Sequence, residues 1–128
     1  MRPEGILFSK SHEWVLIEKD IATTGISDFA VKQLSDLVFV DLPEITDLLE
    51  QGQPYAEVES VKAVSDLYAP VTGQIVEVNP ELADHPEYVN EDCYGDGWMI
   101  AIAVENLDEV DALLDAKGYL RHIEEREE

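Results

Sequence analysis

Short runs of alternating apolar and polar residues, each closed by turn chemistry, follow one another along most of the chain, and this pattern restricts the fold to strands. Residues 12–18, His-Glu-Trp-Val-Leu-Ile-Glu, lead through the turn residues Lys19-Asp20 into residues 21–25, a hairpin rich in β-branched and aromatic side chains. Residues 37–42 repeat the pattern and stop at Pro43, and residues 55–60 and 63–68 lie on either side of Val61-Lys62. Ala69-Pro70-Val71-Thr72-Gly73 is turn chemistry, a strand over 74–78 is closed by Asn79-Pro80, and 98–104 supplies a last buried strand. Strands this short and this closely spaced predict a sandwich or small barrel.

Two helical patterns interrupt the strands. Ser27 or Asp28 caps a short helix in which Phe29, Ala30 and Leu34 fall near helical spacing. Near the end, Asn106 and Glu109 have the spacing of a capping box, and Leu107, Val110, Leu113 and Leu114 mark one helix face that Gly118 terminates. Tyr119 and Ile123 then anchor a last turn before a frayed Glu124-Glu125-Arg126-Glu127-Glu128 tail. Residues 82–97, rich in Asp, Glu, Pro, Asn and Gly, read as a surface excursion. With 128 residues and no interdomain linker, the chain is expected to form one domain, 1–128, carrying a helical extension from about 106 to 128.

Charge excludes several functions. Against 29 Asp and Glu there are 8 Lys and Arg, a formal net charge of −21, and the few cations form no basic stripe for a phosphate backbone. The longest apolar run, 98–104, is far short of the roughly 20 residues that span a bilayer. Since 45% of residues are hydrophobic, a core still forms despite the repulsion. Either a salt-rich or alkaline habitat or a surface that docks onto basic partners accounts for such a charge. The first eight residues show no targeting pattern, so a cytoplasmic location is expected, and the single Cys93 excludes an internal disulfide.

Conventional catalytic sites do not assemble. His12, His85 and His122 are dispersed, no metal-binding or calcium-loop spacing is present, and Gly95 and Gly97 lack the rest of a phosphate loop. What stands out is Lys62, one of five lysines, at the reversal between two strands in Glu59-Ser60-Val61-Lys62-Ala63. By position alone it reads as a lysine guarding a sheet edge. Ser60-Val61 also lacks the Asn-Gly or Asp-Gly of a primed turn, and Val at positive φ is strained.

The wider string decides the matter. Residues 59–79, with Glu-Ser-Val-Lys-Ala at their start and Ala-Pro-Val-Thr-Gly in their middle, resemble the lipoylation segment of glycine cleavage system H proteins. Ser11-His12-Glu13-Trp14-Val15 looks like that family's N-terminal motif, and Gly25-Ile26-Ser27-Asp28-Phe29-Ala30 is similar to its Gly-Ile-Thr-Asp-Tyr-Ala. Leu37 to Glu44 and Asn90 to Trp98 resemble its strand-and-turn and late-loop blocks, in the family's order. There are departures. Ala101 stands where the family usually has lysine, Thr46-Asp47 where it has Gly-Asp, Cys93 where proline is frequent, and Gln33 differs as well.

The resemblance implies a mainly β barrel-sandwich hybrid of two small antiparallel sheets with short peripheral and C-terminal helices. It places lipoate in amide linkage on Lys62, with Glu59 read by the attaching enzyme, and Ser11, Glu13 and Asp66 on a cleft that receives the loaded arm. Carboxylates there suit a cationic amine, although Glu13 taken alone is an ordinary solvent-facing strand residue. It implies a shuttle, not a turnover enzyme, served by glycine decarboxylase, aminomethyltransferase, dihydrolipoamide dehydrogenase and lipoate-attaching enzymes. A monomer leaves such an arm free. Trp14 and Trp98 read as core or cleft-wall aromatics, and Gly73 and Gly97 as tight-turn residues. Biotinyl domains, which usually show Ala-Met-Lys-Met, fit less well. Two other readings remain at this stage: an H-like lipoate carrier serving lipoate relay or sulfur oxidation beside a heterodisulfide-reductase-like complex, and an unmodified acidic interaction domain.

Overall fold

The structure, a computed structural model, describes residues 5–126. Nine strands form two antiparallel sheets among these residues. The larger has the order β1 (Leu7–Phe8), β2 (Glu13–Glu18), β3 (Ile21–Ile26), β9 (Ile100–Val104), β8 (Gly73–Val78), β5 (Leu48–Leu49). The smaller is β4 (Leu37–Asp41), β6 (Pro54–Ser60) and β7 (Val64–Tyr68), with β6 in the middle. The expected pair of small antiparallel sheets with short helices is therefore present. The two-residue strands β1 and β5 are too short for alternation to reveal them.

The sheets meet over one core. Val15 and Ile26 from one side of the larger sheet, with Ile75, Ile100 and Ile102, pack with Val40, Val58 and Leu67 of the smaller one, all nearly inaccessible to water. Each such side chain contributes roughly 1.5–3 kcal/mol by leaving water. A second cluster, Ile6, Phe8, Trp14, Tyr119 and Ile123, is covered by the C-terminal helix. There Phe8 and Tyr119 stack with ring centroids 4.1 Å apart.

Helix α1 (Asp28–Leu34) starts as the sequence indicates: Ser27 is the cap, its hydroxyl accepting from the Ala30 N–H. The C-terminal reading needs correction. Residues Leu107–Ala112 form a short 3-10 segment, and the last helix is α3 (Ala116–Arg126), so Gly118 lies inside a helix and ends none. Asp115 starts α3, because its carboxylate accepts from the Gly118 N–H at 2.7 Å. Asn106 caps the 3-10 segment through the Asp108 N–H, while Glu109 turns away to hold the Thr72 N–H and hydroxyl. Tyr119 and Ile123 do anchor the chain end, from one face of α3. Of the tail, Glu127 and Glu128 lie outside the described residues.

Residues 82–97 are also more than a surface excursion. Leu82 and Val89 are fully buried, and α2 (Glu87–Glu91) runs through the segment. Asn90 pins it to the start of β4, accepting from the Leu37 N–H and donating to the Ser35 carbonyl. The Trp14 indole N–H donates to the Cys93 carbonyl at 2.9 Å. Cys93 itself is buried, and burial pushes its thiol up to about 12, which leaves no thiolate at neutral pH. Gly73 and Gly97 serve close packing. A Cβ on Gly97 would come within 2.7 Å of the Val89 Cα.

Thr46 is held at φ +83°, a backbone region that a β-branched residue enters only with strain. Its N–H nevertheless donates to the Ile75 carbonyl at 2.8 Å, so the surrounding chain enforces the conformation. We expect Thr46→Gly to raise stability by about 0.5–1 kcal/mol, the strain relieved less the extra freedom glycine gives the unfolded chain. Denaturant midpoints with unchanged slope measure it.

Candidate functional site

The hairpin β6–β7 reverses through Val61, Lys62 and Ala63, and Ser60 clamps that reversal. The Ser60 N–H donates to the Ala63 carbonyl at 2.8 Å, and its hydroxyl oxygen accepts from the N–H groups of Lys62 (3.2 Å) and Ala63 (3.0 Å). Val61 donates its N–H to the Asp36 carbonyl at 3.2 Å, which ties the tip to the chain entering β4. No tip residue has positive φ, so the strained primed turn is avoided and no glycine is needed. Ser60 is buried and Lys62 exposed, so the clamp points inward and the lysine outward. Ser60 is a site residue that sequence reasoning missed. Its signal was a serine two residues before the tip lysine, able to fold its hydroxyl over the turn.

A cleft of about 500 Å³ begins three residues past Lys62. Ser65, Asp66 and Leu67 of β7 form one wall, Ser11 and His12 of the turn before β2 line it together with Ile26 of β3, and Phe29, Ala30, Gln33 and Leu34 of α1 close the remaining side. Ser11 and Asp66 are thus both on this cleft. Glu13 is not a solvent-facing strand residue: it is fully buried, behind the cleft surface. One carboxylate oxygen accepts from the Ser9 and Ser11 hydroxyls, and the other from the Tyr68 N–H at 3.1 Å. Burial raises the Glu13 carboxyl above its ordinary range, and these hydrogen bonds oppose the rise. Burial and the neighbouring Glu13 charge push the Tyr55 phenol up as well.

His12, one of the three dispersed histidines, lines the cleft at φ +77°. Its Nδ1 lies 2.7 Å from the Tyr119 hydroxyl, which in turn lies 2.6 Å from the Ser27 hydroxyl. That chain couples the cleft wall, the cap of α1 and the C-terminal helix.

Glu59 is the next-to-last residue of β6, exposed and three residues before Lys62. Strand register places it between Phe39 and Val64 in one cross-strand row, and the next row on that face is Asp41, Glu57 and Asp66. All six are exposed. Among the described residues no group of His, Cys, Asp and Glu is arranged to hold a metal ion, and no helix is long and apolar enough to cross a membrane.

Fold and site are those of a carrier class of protein, a rigid β scaffold that displays one lysine beside a cleft. The sequence model of the family described as Glycine cleavage H-protein matches residues 6–126. The chain is 43% identical over 125 residues to the glycine cleavage system H protein of Halothermothrix orenii, covering 98% of each. It is 50% identical over 123 residues to that of Geobacillus thermodenitrificans, covering 96% of this chain and 97% of the other. A crystal structure of a glycine cleavage system H protein from Mycobacterium marinum superposes with a TM-score of 0.83 at 38% identity, covering 96% of this chain and 99% of that one. The chain belongs to the glycine cleavage H-protein family.

Proposed function

We propose that this chain is the lipoyl-carrying shuttle of a glycine cleavage system, with lipoate in amide linkage to Lys62. The observation that carries the reading is the exposed Lys62 on a tip whose backbone Ser60 and Asp36 hold, beside a 500 Å³ cleft. When bound, the dithiolane supplies the acceptor and redox chemistry, and the protein supplies position. Glu59 is the residue the attaching enzyme reads. Ser11 and Asp66 give the cleft polar contacts for a protonated amine, and buried Glu13 acts through Ser11, fixing its hydroxyl. Gln33, Phe29 and Leu34 wall the arm from water.

The clients are glycine decarboxylase, aminomethyltransferase and dihydrolipoamide dehydrogenase, met by a cytoplasmic monomer that performs no turnover of its own. Family membership favours these over sulfur-oxidation or lipoate-relay clients, and over an unmodified acidic domain. Protein purified from its native host, measured by intact mass with peptide mapping, should carry one lipoyl group on Lys62. An unmodified Lys62 in a host that lipoylates other proteins would overturn the proposal.

A further inference from the structure

Among the described residues the outward face of the three-stranded sheet has no partner element, and its composition is unusual for open surface. Exposed hydrophobic residues scattered singly need no explanation. Here four of the eight large ones among the described residues gather at one tip: Val38 (51% exposed), Phe39 (50%), Val61 (70%) and Val64 (57%). A register shift between Leu37 and Phe39 makes room for this, since Val38 is the extra residue opposite β6. Behind the apolar row, register sets Asp41, Glu57 and Asp66 side by side across three strands. Like charges directly opposite one another destabilise a sheet. No lysine or arginine lies within ion-pair distance of any of the three among the described residues.

We infer that this face, with Phe39 and Val64 straddling Glu59 and the acidic row behind, is the docking surface for the enzyme that acylates Lys62. The inference rests on the proposed role of Lys62 and extends recognition beyond Glu59. The choice of occupant follows from reach. Clients of a loaded arm meet its far end, so they need not touch the hairpin. An acylating enzyme must instead bring the Lys62 Nζ itself to an activated acyl carbon, and therefore closes over the tip. There the amine forms the amide C–N bond to a lipoyl adenylate, the anhydride C–O bond breaks, AMP leaves, and the amine's proton passes to a base of the enzyme. The complementary surface is an apolar hollow that seats Phe39 and Val64, rimmed by Lys and Arg that meet Asp41, Glu57 and Glu59.

The test compares two steps on the full chain. Unloaded wild type and the double variant Phe39→Ser/Val64→Thr are acylated by a bacterial lipoate ligase with lipoate and ATP, and the rate is read by intact mass. Both proteins are then loaded to completion by long incubation, and their reduction by dihydrolipoamide dehydrogenase is measured. The expected result is a loss of at least tenfold in acylation kcat/KM with reduction unchanged within twofold. Phe39→Leu, which keeps the apolar bulk, should acylate within threefold of wild type. Unchanged acylation of the double variant overturns the inference, and so does a parallel loss in both steps. A wild type that takes no acyl group at Lys62 overturns the role of the lysine itself, and the inference with it.

Discussion

Lys62→Arg protein is expected to gain no lipoyl mass and to lose glycine-dependent transfer by at least about a hundredfold, the scale of advantage a tether gives over free encounter. Arginine keeps the charge and length of the side chain but offers no amine that an acylating enzyme joins in an amide. Lys62 is exposed, and the tip is held by Ser60 and Asp36 backbone contacts, so the substitution leaves the fold intact. Stability should stay within about 0.5 kcal/mol of wild type. Free lipoamide added at millimolar concentration should restore part of the flux, since the dithiolane is then present without its tether. Mass spectrometry and a coupled assay with the three proposed client enzymes measure both effects. A Lys62→Arg protein that still supports transfer without added lipoamide would remove the arm from the account.

Gly73→Ala should be the most damaging single-methyl change in the described structure, costing about 3 kcal/mol, the upper end for overpacking. Gly73 lies where β8 passes between β5 and β9, opposite Leu49 on one side and Val104 on the other. A Cβ there would run into the carbonyl oxygen of Ala103 and lie 2.7 Å from the Ile102 Cγ2. The first obstacle is backbone within the sheet ladder, which has no rotamer into which to retreat. A fall in Tm of roughly 10 °C should accompany the loss in a chain of this length. The damage should also reach the site, since residues 69–72 join β7 directly to β8 and Glu109 holds Thr72 at that junction. A melt within a degree or two of wild type would show that β8 and β9 separate more easily than their register implies.

The strand leading into the Lys62 tip was legible because from Ala56 onward it alternates between a buried face and a wet one: Ala56, Val58 and Ser60 inward, Glu57 and Glu59 outward, with Tyr55 also buried beside the register shift between Pro54 and Ala56. The cap of α1 was legible for a similar reason, a serine just ahead of an apolar helical spacing. Glu13 was not. Alternation assigns a strand glutamate to solvent, but β2 is covered on both faces, by the main core and by the cluster under α3, so Glu13, Trp14 and Val15 are all buried. The C-terminal helix was displaced because Gly118 looked like a terminator, whereas Asp115 four residues from Tyr119 was the stronger signal. Residues 82–97 escaped because what makes them compact is tertiary: Asn90 reaching back to β4, and Trp14 reaching across to Cys93. The cleft, too, exists only where α1 leans over two sheets, which no local pattern records.

The clamped tip decides where motion begins. With the backbone of Lys62 fixed by Ser60, whatever hangs from its side chain pivots about a stationary point and sweeps a shell of constant centre. The cleft starts three residues along the chain from that pivot, so under the proposed function the terminus of an arm on Lys62 would meet it at an effective concentration in the millimolar range. Weak contacts are enough to park it at such a concentration. Weak contacts are also quickly broken, and a client enzyme can therefore draw the cargo out without first paying for a tight complex between cargo and carrier.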